Sequence, residues 1–217
     1  MIKAVIFDFD GLILDTETVW YEAYKETMAF YESDLPLERF VTCIGTDNTE
    51  LNQYFKDQLG ERCNIEEIES RAKSLHEVKM KTAQAREGVK DYLEEAKRNG
   101  YTIALASSST KEWVTHHLGE LGLLHYFEVI ITGDDVDKVK PAPDLYVKAI
   151  EVLGIQPAEA VAFEDSLNGL QAALTAGLKC VIVPNPVTDA LAFENHHLRL
   201  RSMADKSLSD VIKHIEQ

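Results

Sequence analysis

Two aspartates, Asp8 and Asp10, lie at the end of the apolar run 4–7 and are followed directly by Gly11. Alternate residues of an extended backbone point to the same side, so both carboxylates can face one ligand. Neighbouring carboxylates repel each other and resist leaving water unless a cation or a shared proton compensates them. Gly11 permits a sharp exit from the strand. The pattern therefore predicts a chemical site, the alternative being an ordinary Asp10-Gly11 turn beside a solvated Asp8.

Three further polar segments follow strand-like runs. They are Ser107-Ser108-Ser109 after the run 102–106, Lys140 in the segment after the run 129–131, and Glu164-Asp165 after the run 160–163. In open α/β sheets, ligands bind beyond the carboxyl ends of the strands. We therefore expect these segments to meet Asp8 and Asp10 at one edge of a sheet.

The two aspartates suit phosphoryl transfer. A carboxylate such as Asp8 can attack phosphorus and carry an aspartyl-phosphate, which divides one difficult displacement into two easier ones. Asp10 can donate a proton to the leaving alcohol and later accept one from water.

The remaining polar residues suit the charges of that reaction. Glu164 and Asp165 are hard oxygen ligands of the kind that Mg²⁺ prefers. The hydroxyl groups of Ser107 and Ser108, backbone N–H groups of their loop and the ammonium group of Lys140 can hold the phosphoryl oxygens. Taken singly, Asp165 could merely begin the next helix and Lys140 could be a solvated loop residue.

Two other polar clusters have simpler interpretations. Ser109-Thr110-Lys111-Glu112 has the spacing of a capping box, so we expect Ser109 to cap the following helix rather than bind a ligand. The pairs His116-His117 and His196-His197 lack the i,i+4 spacing of two ligands on one helix face, and we expect them at the surface.

The chain from about residue 86 onward alternates helical and strand-like segments, with strands expected near 102–106, 129–131, 160–163 and 180–183. Together with the first strand, this rhythm predicts a parallel sheet covered on both faces by helices. Residues 16–85 contain helical patterns and no buried strand. We expect them to form a cap inserted through hinges near Asp15 and near 85–88; packing on the sheet within one core is the alternative.

The composition limits the partners. The chain has 217 residues, 22 basic and 37 acidic side chains and a net charge of −15. A dense basic stripe is missing, so we expect no nucleic-acid partner. We also expect no membrane segment and no leader peptide, hence a cytoplasmic protein. Cys43, Cys63 and Cys180 lack the spacing of a zinc site or a disulfide framework and are expected to be free thiols.

An ordered set of residues extends over most of the chain: Asp8-Phe9-Asp10-Gly11, Asp15, Ser107, Lys140 and Glu164-Asp165. This set resembles the haloacid dehalogenase superfamily, in detail its β-phosphoglucomutase-like phosphatase branch. The resemblance implies an α/β fold with a Rossmann-like parallel sheet in the order 3-2-1-4-5. It also implies a core domain of residues 1–15 and 86–217 and a helical cap domain of residues 16–85.

The resemblance also assigns roles to site residues. It implies Asp8 as nucleophile and magnesium ligand, and Asp10 as acid/base whose backbone carbonyl also binds Mg²⁺. Glu164 and Asp165 would complete the metal site. The acid at position 10 favours phosphate esters, because the dehalogenases and phosphonate hydrolases of the superfamily lack an acid there.

The expected activity is that of a magnesium-dependent phosphatase of small phosphorylated metabolites, in a monomer or weak homodimer. A phosphosugar mutase and a non-catalytic binding module on the same fold are the alternatives. The mutase carries a histidine in its first cap helix and an arginine in a cap loop. Neither occurs in the corresponding stretches 15–20 and 44–48, which puts mutase activity in doubt.

Four cap residues are candidates for substrate contact. We expect Glu17 and Trp20 to face the cleft between cap and core, although Trp20 could equally be a plain packing residue. Lys79 and Lys81 could reach a substrate anion, but solvated helix lysines are the preferred interpretation.

Overall fold

The computed structural model describes residues 1–41 and 49–217. The strands are β1 Ala4–Phe7, β2 Thr102–Ala106, β3 Val129–Ile131, β4 Ala160–Glu164, β5 Lys179–Ile182 and β6 Leu198–Arg199. The helices are α1 Thr16–Phe30, α2 Leu37–Val41, α3 Thr49–Leu59, α4 Ile65–Met80, α5 Val89–Arg98, α6 Lys111–Glu120, α7 Asp144–Leu153, α8 Leu167–Thr175 and α9 Leu208–Ile215.

Within the described residues, these strands form a six-stranded sheet in the order β3-β2-β1-β4-β5-β6. All pairings are parallel, and β1 lies in the centre with Phe7 opposite Leu105 on β2 and Phe163 on β4. The predicted order 3-2-1-4-5 is confirmed. Sequence reasoning missed β6, which adds two residues, Leu198 and Arg199, beside β5.

The sheet separates two hydrophobic cores, because successive residues of a strand point to opposite faces. Val5 and Phe7 of β1 pack in one core, whereas Ala4 and Ile6 pack in the other. All four side chains are buried. This double burial explains why β1 is apolar throughout, and why the chain becomes polar only where the strand ends at Asp8.

Helices α1 to α4 form a third hydrophobic cluster, whose buried members include Tyr24, Met28, Phe55 and Ile68. The described part of this region is helical, as the sequence predicts. Two chain segments connect it to the sheet, and they touch at an isolated antiparallel bridge between Leu14 and Ala85.

Arg86 anchors the second of these segments. Its guanidinium group donates to the carbonyl oxygens of Gly11 (2.6 Å), Val183 (2.9 Å) and Pro184 (2.6 Å). One side chain therefore fixes the end of the helical region to the loop after β1 and to the segment after β5.

Two of the predicted free cysteines can be located. Cys180 is buried in β5 and Cys63 is partly buried, and both are free thiols. Cys43 and the loop stretch 44–48 lie outside the described residues. None of the helices in residues 1–41 and 49–217 combines the length and the apolar character that a membrane crossing needs.

Candidate active site

Asp8 lies directly beyond β1, and its backbone N–H donates to the Phe163 carbonyl (3.1 Å). Its side chain is buried against Lys140, whose Nζ lies 2.5 Å from Asp8 Oδ1. Burial, assisted by Glu164 and opposed by Lys140, raises the pKa of Asp8 to about 8. Lys140 alone therefore does not offset the burial of this carboxylate, and further positive charge nearby would favour its ionised form at neutral pH.

Lys140 is held between two acids. Its Nζ also lies 2.7 Å from Glu164 Oε1, and the lysine side chain is 6% exposed. Burial opposes the charge of Lys140, but Asp8 and Glu164 raise its pKa above the ordinary value. The Tyr146 hydroxyl donates to the same Glu164 oxygen. Sequence reasoning did not find Tyr146, because nothing in the spacing of α7 relates it to β4.

Glu164 fits under the first turn of α8 because residue 169 is glycine. A Cβ atom at Gly169 would lie 1.8 Å from Glu164 Oε2. The same strand end presents Asp165, whose Oδ2 accepts a hydrogen bond from Asn185 Nδ2 (2.7 Å). Asn185 follows β5 and was missed, although a polar residue beyond a fifth parallel strand is a usable signal.

The donor set fits a hard dication. Carboxylate oxygens of Asp8, Glu164 and Asp165 lie within 4.8 Å of one another, and all three residues are buried. Burial, together with the charges of Asp8 and Glu164, raises the pKa of Asp165 well above its usual range. Oxygen donors that repel one another in a buried site suit Mg²⁺. Gly11, at φ +78°, makes room for the group, because a Cβ there would lie 2.1 Å from Asp165 Oδ2.

Asp10 is oriented by donors from the loop after β2 and from α6. Its Oδ2 accepts from Ser109 Oγ (2.6 Å) and, at 3.5 Å, from Ser107 Oγ. Its Oδ1 accepts from Trp113 Nε1 (3.0 Å). The prediction that Ser109 caps α6 is wrong: Thr110 is the N-cap, because its side chain accepts from the Trp113 N–H and leaves Ser109 to donate to Asp10.

Asp8, Asp10, Lys140 and Asp165 line a cavity of about 500 Å³. The predicted contacts Ser107, Ser108, Glu17 and Trp20 all line it, with Ser107 buried and Ser108 exposed. Burial and the nearby carboxylates, Asp10 foremost, raise the pKa of Glu17 to about 7. The structure therefore brings every predicted site residue to one cavity or to its wall, Glu164 lying behind Lys140.

Aromatic rings connect the helical region to the sheet beside this cavity. The ring of Trp20 on α1 stacks on that of His76 on α4, with centroids 3.8 Å apart, and His76 lies 6.1 Å from Trp113 on α6. Burial lowers the pKa of His76 to about 4. His117 has its ring 4.2 Å from Trp113. The expectation that His117 lies at the surface is wrong, because it packs into this stack and is 8% exposed.

The other histidines lie nearer to solvent. His116 is exposed, His196 is partly buried and His197 is exposed. The ring nitrogens of His116 and His117 lie 3.5 Å and 3.3 Å from Glu120 Oε2. Glu120 can therefore form an ion pair with whichever of the two histidines is protonated.

The two candidate lysines, Lys79 and Lys81, lie away from the cavity. Lys79 pairs with Glu22 (3.3 Å) and Glu26 (3.5 Å) on α1. Lys81 is exposed and lines a separate cavity of about 440 Å³ near the segment that ends in Arg86. Neither lysine is among the described residues that line the active-site cavity.

A family model described as haloacid dehalogenase-like hydrolase matches residues 5–183, a span that runs from β1 past β5 and includes every strand that carries a site residue. The chain belongs to the haloacid dehalogenase-like hydrolases. In this hydrolase, the matched span covers Asp8, Lys140, Glu164 and Asp165.

Relatives of this hydrolase match it over most or nearly all of its length. Protein YhcW of Bacillus subtilis is 49% identical over 99% of this chain and 98% of its own. The phosphorylated carbohydrates phosphatase of Thermotoga maritima is 32% identical over 82% of each chain. The crystal structure of a CbbY mutant from Rhodobacter sphaeroides in complex with xylulose 1,5-bisphosphate is 30% identical, with a TM-score of 0.75, and covers 96% of this chain and 98% of its own.

Proposed function

We propose that this hydrolase is a magnesium-dependent phosphatase of small phosphorylated metabolites that works through an aspartyl-phosphate on Asp8. The observation that carries the proposal is the buried contact between Asp8 and Lys140, 2.5 Å apart, at the base of a cavity that also presents Asp10 and Asp165. The name of the related Thermotoga maritima protein, phosphorylated carbohydrates phosphatase, describes an activity of this kind and supports the proposal.

In the first half-reaction, an oxygen of Asp8 attacks phosphorus and Asp10 protonates the departing alcohol. Lys140, Ser107 and Ser108 hold the phosphoryl oxygens while negative charge moves between the attacking and leaving atoms. In the second half-reaction, Asp10 takes a proton from water, which attacks the phosphorus and releases Asp8. Trp113 and Ser109 hold Asp10 in place through both halves.

The metal site would be formed by the carboxylates of Asp8, Glu164 and Asp165, which lie together, and by the backbone carbonyl of Asp10. Mg²⁺ bound there supplies positive charge that lets the anionic phosphoryl group approach these carboxylates. Glu164 also makes the ion pair that holds Lys140. It therefore supports the phosphoryl site through Lys140 as well as through the metal.

We further propose that residues 16–85 act as a mobile cap over a core of residues 1–15 and 86–217. Helices α1 to α4 supply nearly all of one hydrophobic cluster, which Val187 from the segment after β5 also joins. The cavity is lined by Glu17 and Trp20 from this region and by Lys140 and Asp165 from the other. Closure of such a cap excludes water and selects the substrate.

Hydrolysis of a panel of sugar, nucleotide and small-acid phosphates, with Mg²⁺ present, tests the proposal. We expect turnover of sugar or related phosphomonoesters, silencing by EDTA and recovery with Mg²⁺. Asp8→Asn should reduce kcat by about a thousandfold or more with the fold intact. Wild-type turnover in Asp8→Asn would remove Asp8 from the nucleophile role, and activity indifferent to EDTA and Mg²⁺ would refute the metal assignment.

A further inference from the structure

Asn185 is a buried amide whose hydrogen-bonding capacity is fully used. It lies beyond β5 and is 1% exposed. Its Oδ1 accepts from the backbone N–H groups of Val187 (2.9 Å) and Thr188 (3.0 Å). Its Nδ2 donates to Asp165 Oδ2 (2.7 Å) and to the Gly11 carbonyl (3.4 Å). A flip of the amide would exchange its donors and its acceptor and break all of these contacts, so its N–H groups face Asp165 and Gly11.

The turn that carries Asn185 is itself held in place. The Asn185 N–H donates to Thr188 Oγ1 (3.0 Å), and both side chains are buried. Val187 is buried in the hydrophobic cluster that α1 to α4 form. Directly before the turn, the Pro184 carbonyl accepts from Arg86 (2.6 Å). The position of the Asn185 amide is therefore fixed by its surroundings on both sides of the turn.

Asp165 Oδ2 is enclosed by two groups. Asn185 Nδ2 donates to it, and the Gly11 backbone lies close by, since a Cβ there would be 2.1 Å from Oδ2. Because this oxygen is already engaged, binding of a cation through one oxygen of Asp165 is favoured over binding through both. Ca²⁺ accepts many oxygen ligands and often takes both oxygens of a carboxylate, whereas Mg²⁺ requires octahedral geometry and fewer protein ligands. The contact therefore favours Mg²⁺.

We propose that Asn185 is a positioning residue that makes Asp165 a one-oxygen ligand and so raises the affinity of the metal site for Mg²⁺ relative to Ca²⁺. The inference rests on the metal site of the proposed function and deepens it. It makes the selection of the cation depend on a side chain beyond β5, a strand that carries none of the three carboxylates of that site.

Asn185→Ser removes the amide donor and keeps the turn. A serine hydroxyl accepts from backbone N–H groups in turns of this kind, as Asn does, but it ends one bond earlier than Asn185 Nδ2 and offers Asp165 no N–H. Thr188→Val is the matched control. It removes one hydrogen bond from the same buried turn, the one that the Asn185 N–H donates, and leaves the contact with Asp165 in place.

Displacement of Mn²⁺ by Mg²⁺ or by Ca²⁺, followed by electron paramagnetic resonance of the free Mn²⁺, measures both affinities without substrate. Residues that orient metal ligands contribute about ten- to a hundredfold to metal affinity. We expect Asn185→Ser to weaken Mg²⁺ binding by about that factor and Ca²⁺ binding much less, so that the preference for Mg²⁺ falls several-fold. Thr188→Val should keep the wild-type preference. An unchanged preference in Asn185→Ser, or an equal fall in both variants, would overturn the proposal.

A crystal structure of the wild-type protein with Mn²⁺ needs no variant to fold. We expect Asp165 to bind the ion through one oxygen with the Asn185 contact kept, and binding through both oxygens would overturn the proposal. The outcomes also separate this inference from the proposed function. If the wild-type chain binds neither Mn²⁺ nor Mg²⁺, the metal assignment fails and this inference fails with it. If it binds both and Asn185→Ser keeps the wild-type preference, the metal assignment stands and the role of Asn185 fails.

Discussion

Asp10 shows how one side chain depends on contacts that span the chain. Trp113 Nε1 reaches Asp10 Oδ1 across 103 positions of sequence, and Ser109 Oγ holds the other oxygen. An indole N–H can only donate, so this contact fixes the Oδ1 atom of Asp10 as an acceptor, while the Oδ2 atom receives the serine hydroxyl. The proposed acid/base is thus oriented by Trp113 on α6, whose ring also lies beside that of His76 on α4.

Replacing Trp113 by Phe should lower kcat most for those phosphate esters whose leaving group needs protonation by an acid. Loss of one hydrogen bond to a charged group, worth roughly 1.5–3 kcal/mol, predicts a ten- to hundredfold lower kcat for alkyl phosphates. An aryl phosphate with a good leaving group, such as 2,4-dinitrophenyl phosphate, departs without protonation and should be affected much less. Steady-state kinetics on both substrates measure the difference.

His116→Ala, an exposed change on the same helix, is the control and should leave both rates unchanged. Equal slowing of alkyl and aryl phosphates by Trp113→Phe would contradict the positioning role, since a general loss of structure affects both substrates alike.

The sequence was sufficient to predict those site residues that lie at or just beyond the end of a strand. Asp8, Ser107, Lys140 and Asp165 could be predicted because parallel strands bring their carboxyl ends to one edge. Trp113 could not, because an aromatic residue in a helix carries no sign of whether its N–H faces a carboxylate or the core.

At the scale of elements, α8 packs against the site through a glycine. Gly169→Ala should displace Glu164, because the new Cβ would lie 1.8 Å from its Oε2. We expect a loss of stability of about 1–3 kcal/mol, as for overpacked sites, and lower activity because Glu164 holds Lys140. Chemical denaturation and kcat measure these two effects.

Gly119→Ala is the matched control, at an exposed position of α6 where nothing lies within 4 Å of the new Cβ. It should stabilise the protein by roughly 0.5–1 kcal/mol through helix propensity, with activity unchanged. If both alanine variants behave alike, the close approach of Gly169 to Glu164 has no consequence.

Between elements, the stack of Trp20, His76 and Trp113 should make stability depend on pH. The folded chain protonates His76 only near pH 4, whereas the unfolded chain does so near 6.5. The unfolded state therefore binds more protons between these pH values. The contribution of His76 to the free energy of unfolding is thus complete above pH 6.5 and is lost as the pH falls towards 4. Between pH 7 and pH 5, we expect wild type to lose about 2 kcal/mol more than His76→Phe.

Urea denaturation at the two pH values measures this difference, with His116→Gln as an exposed histidine control that should retain the wild-type slope. A His76→Phe variant with the wild-type pH slope would show that His76 titrates normally in the fold.

The elements themselves were largely predictable. Runs such as 102–106 and 129–131 are apolar, bounded by polar residues and alternate with amphipathic helices, and the structure has strands there. The strand β6 was not predictable, because two residues, one of them charged, carry no periodic pattern. The contact of His76 on α4 with Trp113 on α6 was equally hidden, since a buried histidine on a helix resembles a surface one in sequence.

For the whole molecule, the net charge of −15 sets the problem that the site has to solve. An acidic protein that binds an anionic ester needs local positive charge, which Lys140 and the proposed dication provide at one end of the cavity. The family follows from residues 5–183. The substrate depends on which side chains of residues 16–85 line the cavity, and periodicity does not encode that.

The central claim is that phosphorus becomes covalently bonded to Asp8. The most direct test quenches the enzyme during turnover of a good substrate with Mg²⁺, reduces the acyl phosphate with borohydride and maps the product by mass spectrometry. Our account predicts homoserine at position 8, and unmodified protein when substrate is omitted. A reduced residue at any other position, or none under conditions in which a phosphoenzyme accumulates, would contradict it.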